Sequence, residues 1–427
     1  MKIIGNPPFQ NREKKGKTQH KIWIEFTKKV ITMMGDGDTL MWIIPQSWGS
    51  PSNKVLKLMK QNDLRYVNFD TGTYFPGVGS TFSDFLLVKT KYSGETAVIK
   101  DGKNLKIDFS KLLYCPGDIN TTSLSIHNKI IFSQKNKLPV KYDYVKCHNV
   151  LIKDCTTLSR EKTDKHIHPI FHTNSQVWYS SIKQDFSADK KVMWTRSGYT
   201  KPFYDKGVYG VTDMGYYSPV SSDDQGELIA DILNSKVFSY IFTTAKWSGF
   251  GNELVFTSLP DVRNMKEFSF TYICEYFGLT DDEKDYILNF SSKKMLANTN
   301  GEKIVKSQER SDNLGEVFTP AQKVDMMLAP LNSEEILDTF VDPSCGNGNM
   351  VIQVIKNKIQ KGSTVMQAVS STYGCDIMAD NVDECRRRIL YLVRDAGEDV
   401  SNYIKIVKNN VKRLDFFTLN SFGDIVK

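Results

Sequence analysis

An apolar run, Ile336–Val341, leads straight into Asp342-Pro343-Ser344-Cys345-Gly346-Asn347-Gly348-Asn349-Met350 and then into helix-patterned residues Val351–Lys358. A second short apolar run, Tyr373–Cys375, ends on Asp376, and Asn381–Ala396 again repeats at helical spacing. Strand, tight glycine loop, helix and strand form the repeating unit of a sheet sealed by helices, which restricts the chain to α/β architecture of the doubly wound type. The glycines let main chain approach a ligand closely, and the following helix N-terminus favours negative charge such as a carboxylate. An acid at the end of the next strand, Asp376, can accept bonds from both hydroxyls of a ribose. Its distance from Gly348 somewhat exceeds the usual dinucleotide spacing, and no GxGxxG is present. A Cys-Gly-x-Gly loop alone reads equally as a tight structural turn; with both strands, the helix and the acid it predicts an adenosine-type ligand.

The same strand-helix texture occupies the first ninety residues. Lys2–Ile4 reads as a strand, Gly5 ends it, and Asn6-Pro7-Pro8-Phe9 follows as a stiff corner, since each proline fixes its own φ and biases its predecessor toward extended geometry. This corner offers an amide side chain and backbone carbonyls, all able to accept from an amino group, with an aromatic face beside them. A strand-ending turn with a surface Phe is the competing reading. Helical spacing predicts a helix over about Thr18–Met34 and another near Asn53–Gln61. Strands are expected at Thr39–Ile44, Tyr66–Phe69 and Thr81–Lys89, the last entered through Phe75-Pro76-Gly77-Val78-Gly79.

From about residue 95 the periodicity weakens into short β-like runs such as Lys129–Phe132 and Val150–Ile152, with one clear helix through Ile229, Leu233, Val237 and Tyr240. The polar stretch around Asn298–Lys303 reads as a linker. Beyond it, Ala321–Leu328 reads as a helix and Ile404–Lys408 as a strand. The expected organisation is therefore residues 1–94, a mixed α/β insert at 95–290, a linker at 291–314, and an α/β block at 315–427.

A chain of 427 residues exceeds one ordinary core, in keeping with two domains. No apolar run approaches membrane-span length, no export signal opens the sequence, and seven scattered cysteines without CxxC pairs suit a reducing cytoplasm. Cys147, His148, Cys155, His166, His168 and His172 fit no standard ligand spacing, so no metal site is expected. Net charge is +7, compatible with a polyanion partner. Arg12, Lys14, Lys15 and Lys17 follow directly after the Asn-Pro-Pro-Phe corner, and Lys190, Lys191, Trp194, Arg196, Tyr199 and Lys201 interleave charge with aromatic rings. Both groups are candidate DNA contacts, solvated faces being the alternative.

Taken together, these motifs resemble the amino-group DNA methyltransferases that use S-adenosylmethionine, in particular the adenine-N6 type that also serves restriction–modification systems. Asn6-Pro7-Pro8-Phe9 matches the catalytic motif, and Gly315-Glu316-Val317-Phe318-Thr319-Pro320 resembles the segment that closes over the methionine end of the cofactor. Asp342, Pro343, Ser344, Cys345, Gly346 and Gly348 resemble the glycine loop, and Asp376 with Ile377 the ribose acid and its neighbour. Asp415-Phe416 resembles the pair that reads and packs the cofactor adenine, and Phe75 the aromatic that packs, with Phe9, on an extruded base. The resemblance implies a Rossmann-like methyltransferase sheet, residues 95–290 as a target-recognition domain, double-stranded DNA as partner, and room for a separate restriction endonuclease. The motif order departs from the commonest one, in which cofactor motifs come first. Phe422-Gly423-Asp424-Ile425-Val426 joined to Lys2-Ile3-Ile4-Gly5-Asn6 nearly recreates the family's catalytic strand, so a circular permutation opened there is expected. Cytosine N4, an RNA base, a protein glutamine amide, and an inactive DNA-binding specificity subunit are the alternatives the residues leave open; absence of a Pro-Cys motif argues against cytosine C5 chemistry.

Overall fold

A computed structural model describes residues 1–9, 22–51, 53–78, 81–142, 157–196, 201–245, 253–291 and 317–426. The chain divides into two compact units. One comprises Met1–Trp48, Lys54–Ser110 and Lys294–Lys427; the other comprises Gly49–Asn53 and Lys111–Lys293.

The first unit is built on a nine-stranded sheet. Its spatial order is Val411–Arg413, Thr372–Asp376, Phe340–Asp342, Lys2–Gly5, Thr39–Pro45, Phe82–Val88, Asp63–Asn68, Thr96–Lys100, Lys103–Ile107. The first five strands run parallel, with Lys2 opposite Phe340 and Ile3 opposite Val341 on one side, and Lys2 through Gly5 opposite Thr39 through Trp42 on the other. Phe82–Val88 is antiparallel to both neighbours. Ile3, Ile4 and Leu40–Ile44 are buried on both faces of the sheet, as their unbroken apolar runs require. Helices Ala321–Leu328 and Asn349–Gln360 lay Val324, Met327, Met350 and Val354 against Ile4, Met41 and Phe340. Helix Ala379–Asp395 packs Val382, Ile389 and Val393 with Val351 and Ile355.

Several expected elements differ. Ile336–Val341 is not one strand: Asn332 and Glu335 form a reciprocal cap that starts helix Ser333–Leu337, and only Phe340–Asp342 extends. Ile404–Lys408 lies within helix Ile404–Asn410, exposing Ile404 and burying Val407, and the strand is Val411–Arg413. The sheet also runs past residue 94, because the hairpin of Thr96–Lys100 and Lys103–Ile107 pairs onto Asp63–Asn68.

The second unit is mixed α/β. It holds a three-stranded antiparallel sheet centred on Lys191–Thr195 and a four-stranded sheet containing His168–Thr173 and Gln176–Ser180. The single helix expected through Ile229–Tyr240 is two, Asp223–Asn234 and Lys236–Thr244, with Ser235 capping the second. Lys129–Phe132 is not β-like; it lies in the π-turn Asn128–Phe132 that extends helix Thr121–His127. Val150–Ile152 and residues 298–303 fall outside the described residues.

Candidate active site

Phe340–Asp342 and Lys2–Gly5 are adjacent and parallel, yet the chain leaves them in opposite directions across the sheet: toward Thr372–Asp376 on one side and Thr39–Pro45 on the other. Such a reversal opens a crevice outside the carboxyl ends of the strands. Asn6 and the Pro343–Gly348 loop both leave the sheet at that edge.

Asn6 is held by one side of its amide. Its Nδ2 donates to the Val317 carbonyl at 3.2 Å and to Thr319 Oγ1 at 3.1 Å. A carbonyl can only accept, so the nitrogen must face Val317 and the oxygen must point away. That oxygen, Oδ1, is buried without a hydrogen-bond partner among the described residues. A buried, unpaired acceptor is costly unless something donates to it. The corner thus presents an oriented acceptor, backed by Phe9, whose half-buried ring lies 4.9 Å from that of Phe82.

The irregular stretch Val317–Pro320 bridges Asn6 and the glycine loop. The Thr319 carbonyl accepts from Asn349 Nδ2 at 2.9 Å, and the Phe318 ring covers Gly346, where an added Cβ would stand 3.0 Å from Phe318 Cε1. Pro320 then starts helix Ala321–Leu328, whose fully buried Lys323 pairs with Asp84 on the Phe82–Val88 strand. The Thr71 hydroxyl also bonds that carboxylate, and Lys323 Nζ sits 5.3 Å from the Tyr74 ring centroid.

In the glycine loop, Gly346 and Gly348 have φ of 52° and 88°, in the left-handed region that favours glycine. Asp376 Oδ2 accepts the Gly346 N–H at 2.9 Å and its Oδ1 the Met378 N–H at 2.8 Å. Asn381 Nδ2 also reaches Asp376 Oδ1, at 3.4 Å. Asp342, 2% exposed, accepts from the Ser344 N–H at 3.0 Å. Burial pushes its carboxyl up to about 8, the nearby Asp376 charge adds to this, and the Ser344 bond opposes it. Contact with Cys385 and burial hold the Cys345 thiol well above its ordinary range.

The remaining predicted residues are distributed unevenly. Phe75 is 3% exposed with its ring 5.3 Å from Phe82, so it backs the aromatic cluster and offers no open face for stacking. Ile377 is exposed. Asp415 Oδ1 accepts from the Phe417 N–H, and Phe416 is buried, stacked on Phe26 at 4.3 Å. Pattern reading missed Gln46, at the carboxyl end of Thr39–Pro45. Its Nε2 is tied to the Phe69 and Phe82 carbonyls, leaving Oε1 buried and without a partner among the described residues.

In the second unit, two candidate DNA contacts are corrected. Lys191 is fully buried, its Nζ 2.7 Å from Asp205 Oδ2 and bonded to the Ser187 and Asp189 carbonyls. Trp194 is core, its ring 5.9 Å from Phe256. Both sit on the central strand of a three-stranded sheet, and all five residues of that strand are buried. Lys190 pairs with Asp223, Arg196 is half-buried, and Lys201 is exposed. Tyr199, Arg12, Lys14, Lys15 and Lys17 lie outside the described residues. Among the described residues, no group of three or more His, Cys, Asp or Glu side chains could hold a metal, and no helix is long and apolar enough to cross a membrane.

No family model matches the chain, and no curated protein matches it. Among solved structures it is similar to the Type IIL restriction-modification enzyme MmeI in complex with DNA, at 9% identity and a TM-score of 0.36, over 69% of this chain and 55% of that one. It is similar to the type IIG restriction endonuclease BpuSI at 8% identity and TM-score 0.24, over 83% and 51%. The ATP-dependent Type ISP restriction-modification enzyme LlaBIII bound to DNA gives 10% identity and TM-score 0.31, over 77% and 30%. The chain thus spans about half of the first two and under a third of the last. At these scores the likenesses are distant, and the functional reading rests on the geometry of the site.

Proposed function

We propose that this chain is a DNA methyltransferase that moves a methyl group from S-adenosylmethionine to the N6 amino group of an adenine extruded from the duplex. The observation that carries this reading is the Asn6 amide, clamped through its nitrogen with its oxygen buried and unpaired beside the glycine loop. An exocyclic amine has the two N–H donors such a corner lacks. Asn6 Oδ1 takes one, and the Pro7 carbonyl is assigned the other. Accepting both protons pulls the nitrogen lone pair out of conjugation with the ring, so the amine becomes nucleophilic without a covalent enzyme intermediate. Phe9 is assigned the face of the base, which must leave the stack to reach this crevice.

The residues at the loop suit the cofactor chemically. Ser344 Oγ and Asn347 Oδ1 are buried polar atoms without partners among the described residues, Asp376 stands at the end of the next strand and is assigned the ribose hydroxyls, and Gly346 and Gly348 admit close approach. Phe318, Thr319 and Pro320 would cover the methionine end; Asp342, Pro343, Cys345 and Ile377 would shape the rest. Asp415 and Phe416 are assigned the surroundings of the adenine ring, Phe416 from within its stack on Phe26. S-adenosylmethionine held there would supply an electrophilic methyl carbon, with the neutral thioether as leaving group and the extra amine proton passing to solvent.

The sheet order supports a doubly wound, Rossmann-like methyltransferase unit in which the catalytic corner precedes the cofactor loop in sequence, a permuted arrangement; the insert expected at 95–290, which the second compact unit bounds at 111–293, is assigned target recognition. Tritiated-methyl transfer to unmethylated double-stranded DNA tests the reading. Incorporation that Asn6→Ala abolishes is expected; no incorporation into any DNA, or undiminished incorporation by the variant, would overturn it.

A further inference from the structure

The clamp on Asn6 does not end at Thr319. Asn349, the first residue of helix Asn349–Gln360, holds the Thr319 carbonyl through Nδ2 at 2.9 Å, and its own Oδ1 accepts from Arg388 Nη1 at 2.7 Å. The same Arg388 nitrogen donates to the Asn347 carbonyl at 2.8 Å. Arg388 lies in helix Ala379–Asp395, away from the catalytic corner in sequence and on a different element.

The guanidinium and the two backbone carbonyls fix the sense of both amides. A guanidinium only donates, so it must face the Asn349 oxygen; the Asn349 nitrogen is thereby turned toward Thr319, whose carbonyl only accepts. Thr319 Oγ1, on the same residue, accepts from Asn6 Nδ2, and the Val317 carbonyl, which can only accept, fixes that amide's sense and leaves Oδ1 buried without a partner among the described residues. Rotating any one amide by 180° would set two acceptors or two donors against each other. Arg388 and Asn349 therefore hold the backbone of the stretch whose Val317 carbonyl and Thr319 hydroxyl grip the Asn6 nitrogen, and so set where the Asn6 oxygen lies. The stretch they hold, Val317–Pro320, has no regular hydrogen-bond ladder of its own, so its register over the site depends on such side-chain bonds.

We infer that Arg388 and Asn349 are positioning residues for the catalytic amide, linking the glycine loop to the orientation of Asn6. This rests on the methyltransfer reading above. It predicts that occupancy of the loop and readiness of the amide are coupled, since Arg388 grips the Asn347 carbonyl and the Asn349 side chain with one nitrogen.

The discriminating variants are Asn349→Asp, which is isosteric and can still accept from Arg388 but cannot donate to Thr319, and Arg388→Gln. Three readouts are taken on the full chain: melting temperature, affinity for S-adenosylmethionine by calorimetry, and the single-turnover methyl-transfer rate at saturating cofactor and DNA. In parallel, the Asn6 side-chain amide resonances are followed in ¹⁵N-labelled protein without cofactor, assigned by their loss in Asn6→Ala. The relay predicts a rate at least tenfold lower in each variant at saturation. It also predicts a double variant no worse than the more impaired single one, because both break one chain, and shifted Asn6 amide resonances. Unchanged saturating rates with only a lowered melting temperature would mean a structural role and would overturn the inference. So would variants whose Asn6 resonances stay in place. If the wild-type protein transfers no methyl group at all, the functional reading has failed instead; shifted resonances in that case would still show the relay holding the Asn6 amide.

Discussion

Replacing Asp342 by asparagine should stabilise the protein, and increasingly so as pH rises. The carboxyl is almost fully buried, faces the charge of Asp376, and among the described residues receives only the Ser344 N–H in compensation. Its ordinary value of 3.8 is raised to about 8 in the fold. Below pH 3.8 both folded and unfolded chains carry the proton. Between 3.8 and about 8 the folded state keeps a proton that the unfolded state releases, so folding stability declines across that window and levels off above it. At about 1.4 kcal/mol per unit, the wild type loses about 4 kcal/mol between pH 5 and pH 8 from this group. The amide introduced by Asp342→Asn retains an oxygen for the Ser344 N–H and has no charge to release. Melting temperatures of both proteins at pH 5, 6, 7 and 8 check this: the gap should widen steadily in favour of Asp342→Asn, by roughly 10 °C over the range. A gap that is constant with pH, or one that turns against the variant at pH 8, would refute a buried neutral carboxyl.

Three further outcomes follow from buried groups and the loop. Lys323→Met leaves Asp84 buried without its cation and should cost about 3–5 kcal/mol by denaturant melting, most of it recovered in Lys323→Met/Asp84→Leu. Lys191→Met should likewise destabilise by stranding Asp205, while leaving the salt dependence of DNA binding by any protein that stays folded unchanged, because Lys191 touches no solvent. Gly346→Ala forces a side chain into φ of 52° against Phe318, which should cost about 1–2 kcal/mol and weaken S-adenosylmethionine binding measured by calorimetry.

The elements most legible in the sequence were those whose chemistry is local. The glycines at 346 and 348 and the helix after them are dictated by neighbouring residues, and the fold places them as a loop at the carboxyl edge of a parallel sheet, although the strand before them is only Phe340–Asp342 and not the longer run expected. The pairing of Lys2–Gly5 with Phe340–Asp342 joins residues more than three hundred positions apart; only the two motifs together hinted at it. What pattern reading could not supply was burial of polar side chains. Lys191 and Trp194 sit in a basic, aromatic run that looks like a nucleic-acid surface, but strand pairing on both sides and Asp205 draw the lysine inward. Ile404–Lys408 has a β-branched composition and still winds as helix, its Val407 buried against the neighbouring helices. The orientation of the Asn6 amide was equally hidden, since Val317, Thr319, Asn349 and Arg388 meet only in the fold.

In the proposed reaction Asn6 presents an acceptor to the exocyclic amine of adenine. Incubating unmethylated DNA with the protein and S-adenosylmethionine carrying a deuterated methyl group, then digesting to nucleosides for mass spectrometry, reads the acceptor atom directly. Labelled N6-methyladenine that disappears with Asn6→Ala is the predicted result; label in N4-methylcytosine alone, or in no nucleoside, would contradict it.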